Sequence, residues 1–152
     1  MKRAPANSAA VAVRAMQNAT RGAIRPPAHV KLREGDLPFW EVVMRARARD
    51  EWTGADLVIC ARLARCQADV EAEQVLLDAE GSVIDNAGRP MVNPRSAVVD
   101  MLARREMALL RTLRLGGRVS GDGRDSLKAA QVERRSRQVL ADLDDFDDLI
   151  AR

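Results

Sequence analysis

The feature that most constrains this chain is the long run from Gly54 to about Glu80, which carries two apolar stripes at helical spacing. One stripe is Leu57, Ala61, Ala64, Ala68, Ala72 and Val75; the other is Ile59, Leu63, Cys66, Val70 and Leu77. A helix that is apolar on two sides is buried on two sides. The alanine stripe lets another helix approach closely, and the second stripe needs a further partner. Thr53, with Asp56 three places on, opens this helix in the manner of a capping box, and Gly81 is its natural stop.

The residues beyond Gly81 are as informative as the helix. Val83-Ile84 and Met91-Val92 flank an Asn86-Ala87-Gly88 turn, the pattern of a small β-hairpin. Asn93 then caps, and Pro94 begins, a further helix running to Leu115 and stopped by Gly116-Gly117. Val98, Leu102, Leu109 and Leu113 form its apolar edge. Two long helices joined by a hairpin predict an antiparallel pair with the β-turn at its tip.

Ahead of this pair, Asp36 caps a shorter helix that accepts Pro38 in its first turn. Phe39, Trp40, Val43 and Met44 give that helix an apolar face, and Arg45, Arg47 and Arg49 make its far end basic. Behind the pair, a Gly-rich linker leads to a last helix starting at Asp125 or Ser126, where Leu140, Leu143, Phe146 and Ile150 fall at helical spacing among a cluster of Asp. The expected fold is therefore mainly α: residues 1–35 as a flexible basic arm, 36–117 as a helical core, 118–125 as linker and 126–152 as a helix with an acidic tail. Within the arm, residues 9–19 suit a transient helix, and Pro26-Pro27 bars one further on.

Composition supports a helical reading and narrows the partners. Aromatic residues make up only 3% of the chain, with no Tyr, so the apolar content is Ala, Val, Leu and Met. A monomeric core would be thin, which favours oligomerisation. No stretch approaches the roughly 20 apolar residues of a membrane span, and the apolar start at Ala9 is broken by Arg14 before a secretory signal develops. The expected setting is soluble and intracellular. Cys60 and Cys66 are six residues apart, about 9 Å along a helix and facing different ways, so they read as small core side chains rather than a disulfide or zinc pair.

Charge is segregated along the chain. Of its 25 Lys and Arg, seven (Lys2, Arg3, Arg14, Arg21, Arg25, Lys31 and Arg33) lie in the first 33 residues with no acid, leaving 18 against 22 acids beyond. That one-sided field suits contact with phosphates, each neutralised phosphate releasing counterion; the alternative is a solubility tail. Arg45, Arg47 and Arg49 suit a groove-facing edge of a helix-turn-helix; the alternative is a solvated helix end, where cations favour the dipole anyway. In the tail, Asp142, Leu143, Asp145, Phe146, Asp148 and Ile150 combine acidic and apolar anchors. They suit docking on a basic groove of a partner, folding back on the basic arm, or packing on the protein itself.

A catalytic centre finds no support. His29 is the sole histidine and lies in the arm, Gly121-Asp122-Gly123 is too short to cradle a phosphate, and the tail carboxylates lack apolar enclosure. No catalytic residue, metal ligand or cofactor is assigned.

The segment Glu80-Gly81-Ser82-Val83 to Asn86-Ala87-Gly88-Arg89-Pro90-Met91-Val92-Asn93-Pro94, with the Leu113-Arg114-Leu115-Gly116 end of the next helix, resembles the small-subunit family of tailed-phage terminases. The likeness covers about residues 35 to 125, departing at residues 117–124, where that family often has a Pro-Ser-Arg-like turn. The resemblance implies a ring-forming, non-catalytic protein of the host cytoplasm. It implies binding of double-stranded viral DNA at the start of packaging and presentation to a large terminase subunit, which holds the ATPase and nuclease. A DNA-binding transcriptional regulator with a helix-turn-helix and helical dimerisation region is the competing expectation, and it implies a two-fold dimer on a palindromic site. A small nuclease would need a metal-holding cluster that the sequence does not offer.

Overall fold

A computed structural model describes residues 9–115 and 122–150. Five helices carry most of it: α1 (Ala9–Thr20), α2 (Leu37–Met44), α3 (Gly54–Glu80), α4 (Pro94–Thr112) and α5 (Asp122–Ile150). Single 3-10 turns at Glu34–Asp36 and Arg49–Glu51 precede α2 and α3, and strands β1 (Val83–Asn86) and β2 (Arg89–Val92) separate α3 from α4. The chain divides into two compact units. The central unit holds Pro26–Val43 and Gly54–Gly117; the flanking unit holds Met1–Arg25, Met44–Thr53 and Arg118–Arg152.

In the central unit, the second stripe of α3 faces α4. The Cys66 thiol donates to the Leu102 carbonyl at 3.4 Å, and Gln67 Nε2 donates to Glu106 Oε1 at 2.9 Å. Both cysteines are buried and unbridged, as their spacing requires. Burial pushes the Cys66 thiol pKa up, so it stays protonated. The alanine stripe behaves differently along its length. Ala61 and Ala64 are buried, whereas Ala72 and Val75 are exposed.

The link between α3 and α4 is specified locally. Gly81 leaves α3 with φ of 84°, and Ala87 (54°) and Gly88 (82°) form the two-residue turn that pairs Asn86 with Arg89. Positive φ at both central positions is the turn that matches strand twist, and it is strained at an alanine. Asn93 caps α4 by accepting from the Arg95 N–H at 2.9 Å while its Nδ2 donates to Glu80 Oε2 at 2.9 Å. Arg95 bonds both Glu80 and Glu73, tying the two helices at this end. The hydrogen bonds from Arg95 and Asn93 hold the Glu80 carboxyl down at about 2.

Three boundaries differ from the sequence expectation. Helix α4 ends at Thr112, because buried Leu113 turns the chain inward and Arg114 (φ 53°), not a glycine, takes the left-handed position. The Leu115 N–H then reaches back to the Leu110 carbonyl at 2.9 Å, closing the helix end. Helix α5 starts at Asp122 rather than at 125 or 126. Helix α2 stops at Met44, so Arg45, Arg47 and Arg49 are not on it. Ala48 is extended (φ −65°, ψ 151°) and buried, and Trp52 is buried with it, which takes the chain out of helix.

Candidate nucleic-acid interface

The flanking unit is assembled around a buried carboxylate. Helices α1 and α5 pack through small side chains, Ala15 and Ala19 on one and Ala130 on the other, all buried. Between them lie Asn18 and Glu133, each only 4% exposed. Glu133 Oε2 accepts from the Arg49 backbone N–H at 2.9 Å and from Asn18 Nδ2 at 3.5 Å, while Oε1 pairs with Arg137 at 2.5 Å. Asn18 also donates to Asp50 at 3.1 Å, and Arg14 approaches the same carboxylate at 3.4 Å. One acid thus gathers three segments distant in sequence. Burying a carboxylate is tolerable because its oxygens are supplied with donors.

This arrangement decides which bases remain outward. Arg49 donates to the Gly22 carbonyl at 2.7 Å, and the Arg47 guanidinium lies 5.0 Å from the centroid of the Trp52 ring. These side chains brace the connection rather than line a helix edge. Arg45 is exposed on the same connection. Nine residues, 45–53, separate α2 from α3, whereas a helix-turn-helix is joined by about three or four. Arg45, Arg47 and Arg49 thus lie on this connection and not on an α-helix.

Arg21 and Arg25 are exposed, and Arg14 keeps 66% of its side chain in solvent. Lys2 and Arg3 lie outside the described residues. In the central unit, Lys31 is exposed, and its carbonyl accepts from Arg65. Arg33 is committed elsewhere: it bonds the fully buried Asp36 at 2.7 Å and Asp69 at 2.6 Å. Asp36 also accepts from the Arg33 backbone N–H at 2.8 Å and faces Arg65 at 3.7 Å. Burial pushes the Asp36 carboxyl up, but those hydrogen bonds and the two guanidinium charges outweigh it and leave it below the ordinary range.

Helix α5 contributes bases that an acidic-tail description of this segment overlooks. Ala130, Glu133 and Arg137 turn inward at helical spacing, leaving Lys128, Arg134 and Arg135 exposed. A charge count by window would have found them, since residues 118–141 hold six bases and three acids. Asp142 and Leu143 come next, exposed on the same helix. Asp145, Phe146, Asp148 and Ile150 continue α5, their side chains outside the described residues. Among the described residues, no group of three His, Cys, Asp or Glu could hold a metal ion, and no helix is long and apolar enough to cross a membrane.

Comparison with known proteins places this architecture. The small terminase subunit of Enterobacteria phage HK97 is 31% identical over 149 residues, covering 97% of this chain and 92% of the relative. A family model of Hendrixvirinae small terminases matches residues 1–152, the whole length. On both grounds, the chain belongs to the Hendrixvirinae small terminase family.

Proposed function

We propose that this small terminase subunit binds double-stranded viral DNA through the bases of its flanking unit and acts without catalysis of its own. It works in the host cytoplasm as a homo-oligomeric ring that presents the genome to the large terminase subunit. The observation that carries the DNA contact is the exposure of Arg21, Arg25, Lys128, Arg134 and Arg135 on one unit, none with an ion-pair partner among the described residues. Bases held apart from acids by a folded scaffold keep their charge available to phosphates. Repetition around a ring multiplies the effect.

The acidic end of α5 is the second working part. Asp142, Leu143, Asp145, Phe146, Asp148 and Ile150 offer charge and apolar anchors to a basic groove on the large subunit. The base-rich first half of α5 then serves DNA, and its last turns serve the protein partner.

The test replaces Lys128, Arg134 and Arg135 together by Gln and tracks duplex DNA binding by fluorescence anisotropy across a salt series. Affinity at low salt should fall about 10- to 100-fold, and the slope of log K against log salt should flatten by about 2.7 per subunit engaged. An unchanged slope would remove α5 from the interface. Retained affinity at every salt would overturn the DNA contact as assigned.

A further inference from the structure

The hairpin of the central unit has one strand edge that is partly closed and one that is open. Its register pairs Val83 with Val92, Ile84 with Met91, Asp85 with Pro90 and Asn86 with Arg89. The Asn93 N–H donates to the Ser82 carbonyl at 3.0 Å, which fixes the alternation. Ser82 with Asn93, Ile84 with Met91 and Asn86 with Arg89 are therefore the bonded pairs, and the residues between them turn their backbone groups outward. On β2 the outward residues are Val92 and Pro90, and Pro90 has no N–H to offer. On β1 they are Val83 and Asp85. Their two N–H and two carbonyl groups are taken up by nothing among the described residues.

The same two residues help to define a face. Cross-strand pairs share one side of a ribbon, so Val83, Val92, Asp85 and Pro90 lie together. Val83 is 62% exposed there and Val92 70%. A two-stranded ribbon is marginal by itself, and a third strand beside β1 would pair the open edge and cover Val83 in one step.

Charge decides what that strand is. Residues 71–93 hold five acids and one base. Arg95 engages Glu73 and Glu80, while Glu71, Asp78 and Asp85 are exposed and have no ion pair among the described residues. Phosphate is repelled by such a field, so this is not a face for DNA. A second β1 also fits poorly. Laid antiparallel about Ile84, two copies would set each Val83 against an Asp85; laid about Asp85, they would set acid on acid. A base opposite Asp85 and an apolar residue opposite Val83 satisfy both positions. We infer that β1 accepts an extended segment of another protein, added antiparallel as a third strand, whose base and apolar side chain stand two residues apart. Four main-chain hydrogen bonds hold the segment, and the two side chains select it. This surface belongs to the central unit and is independent of the role proposed for the tail of α5.

The test uses the full chain and the end-blocked probe peptide Thr-Thr-Lys-Thr-Val-Thr-Thr, read by hydrogen exchange. Exchange at the Val83 and Asp85 amides should slow and saturate with a Kd of about 0.1 to 1 mM. N-methylating the probe's Lys and Val removes the N–H groups that face β1 and should abolish the effect. N-methylating the Thr between them, whose N–H faces away, should leave it. Asp85→Asn keeps an acceptor for the Gly88 N–H, bonded at 2.6 Å, so the turn survives while the Kd rises about 3-fold. Val83→Pro gives β1 the closure that Pro90 gives β2 and should weaken binding about 10-fold. Equal effects of the two methylated probes, a Kd that Val83→Pro leaves unchanged, or no protection at about 10 mM probe overturns the inference. Val83 and Asp85 amides that are already slow without probe, and quicken on dilution, would mean that copies pair through β1, which overturns it as well.

Discussion

Replacing Asp36 by Asn should cost the central unit about 3 kcal/mol of stability at neutral pH, among the largest effects of any single substitution in this chain. The side chain is fully buried and receives Arg33 through backbone and guanidinium, with Arg65 at 3.7 Å. Asparagine keeps the volume but loses the charge and offers one acceptor oxygen in place of two. Because Arg33 and Arg65 are 56% and 45% exposed, they turn to water when released, which keeps the loss at the lower end for a broken buried pair. The pH dependence has a definite sign. A carboxyl held below its ordinary value of about 3.9 contributes stability that is fully present above that value and is lost as pH falls through its folded value. Urea midpoints should therefore differ strongly between wild type and Asp36→Asn at pH 7 and converge toward pH 3. Equal midpoints at pH 7, or a gap that persists undiminished at pH 3, would refute this account.

Glu133→Ala should have an effect of similar size on the flanking unit, again about 3 kcal/mol, but a more local one. It strands the Arg49 N–H, leaves Asn18 with Asp50 alone as acceptor, and leaves Arg137 without its 2.5 Å partner. Helix α1 has twelve residues, and among its described side chains it buries two alanines and an asparagine. Hydrogen exchange at the amides of residues 15–20 should accelerate toward the unfolded rate, while α3 and α4 keep their protection. Glu133→Gln, which preserves an acceptor for the Arg49 N–H, should fall between the two. Unaltered exchange in α1 would mean that the helix is anchored by something other than this carboxylate.

The parts legible in the sequence are those written in adjacent residues. Gly81, the Ala87-Gly88 turn and Asn93-Pro94 each dictate a backbone event within a residue or two, so α3, the strands and the start of α4 are set by them. The pairing of α1 with α5 is not. It depends on Asn18 and Glu133, 115 residues apart and polar, which a hydropathy pattern assigns to the surface. The fate of the arginines was hidden for the same reason. Arg33 looks like any other base of the arm until Asp69, 36 residues on, is seen beside it. The alternating Ala-Arg run from 45 to 49 imitates helix, yet the burial of Ala48 and Trp52 draws the chain into a different path. Lys128, Arg134 and Arg135 were obscured by the more conspicuous aspartates after them.

The split construction of the flanking unit also sets a timetable for synthesis. Helix α1 is translated early, but the glutamate it needs arrives 115 residues later, a delay of about 6 to 23 s at ordinary elongation rates. The central unit is complete by residue 117 and has everything it requires before that moment. A nascent chain stalled with only the first 120 residues outside the ribosome should thus yield a protease-resistant central unit behind an α1 that is readily cut. Vectorial synthesis leaves the base-bearing unit as the last to form, so newly made chains acquire the surface proposed to meet DNA only after α5 has been released.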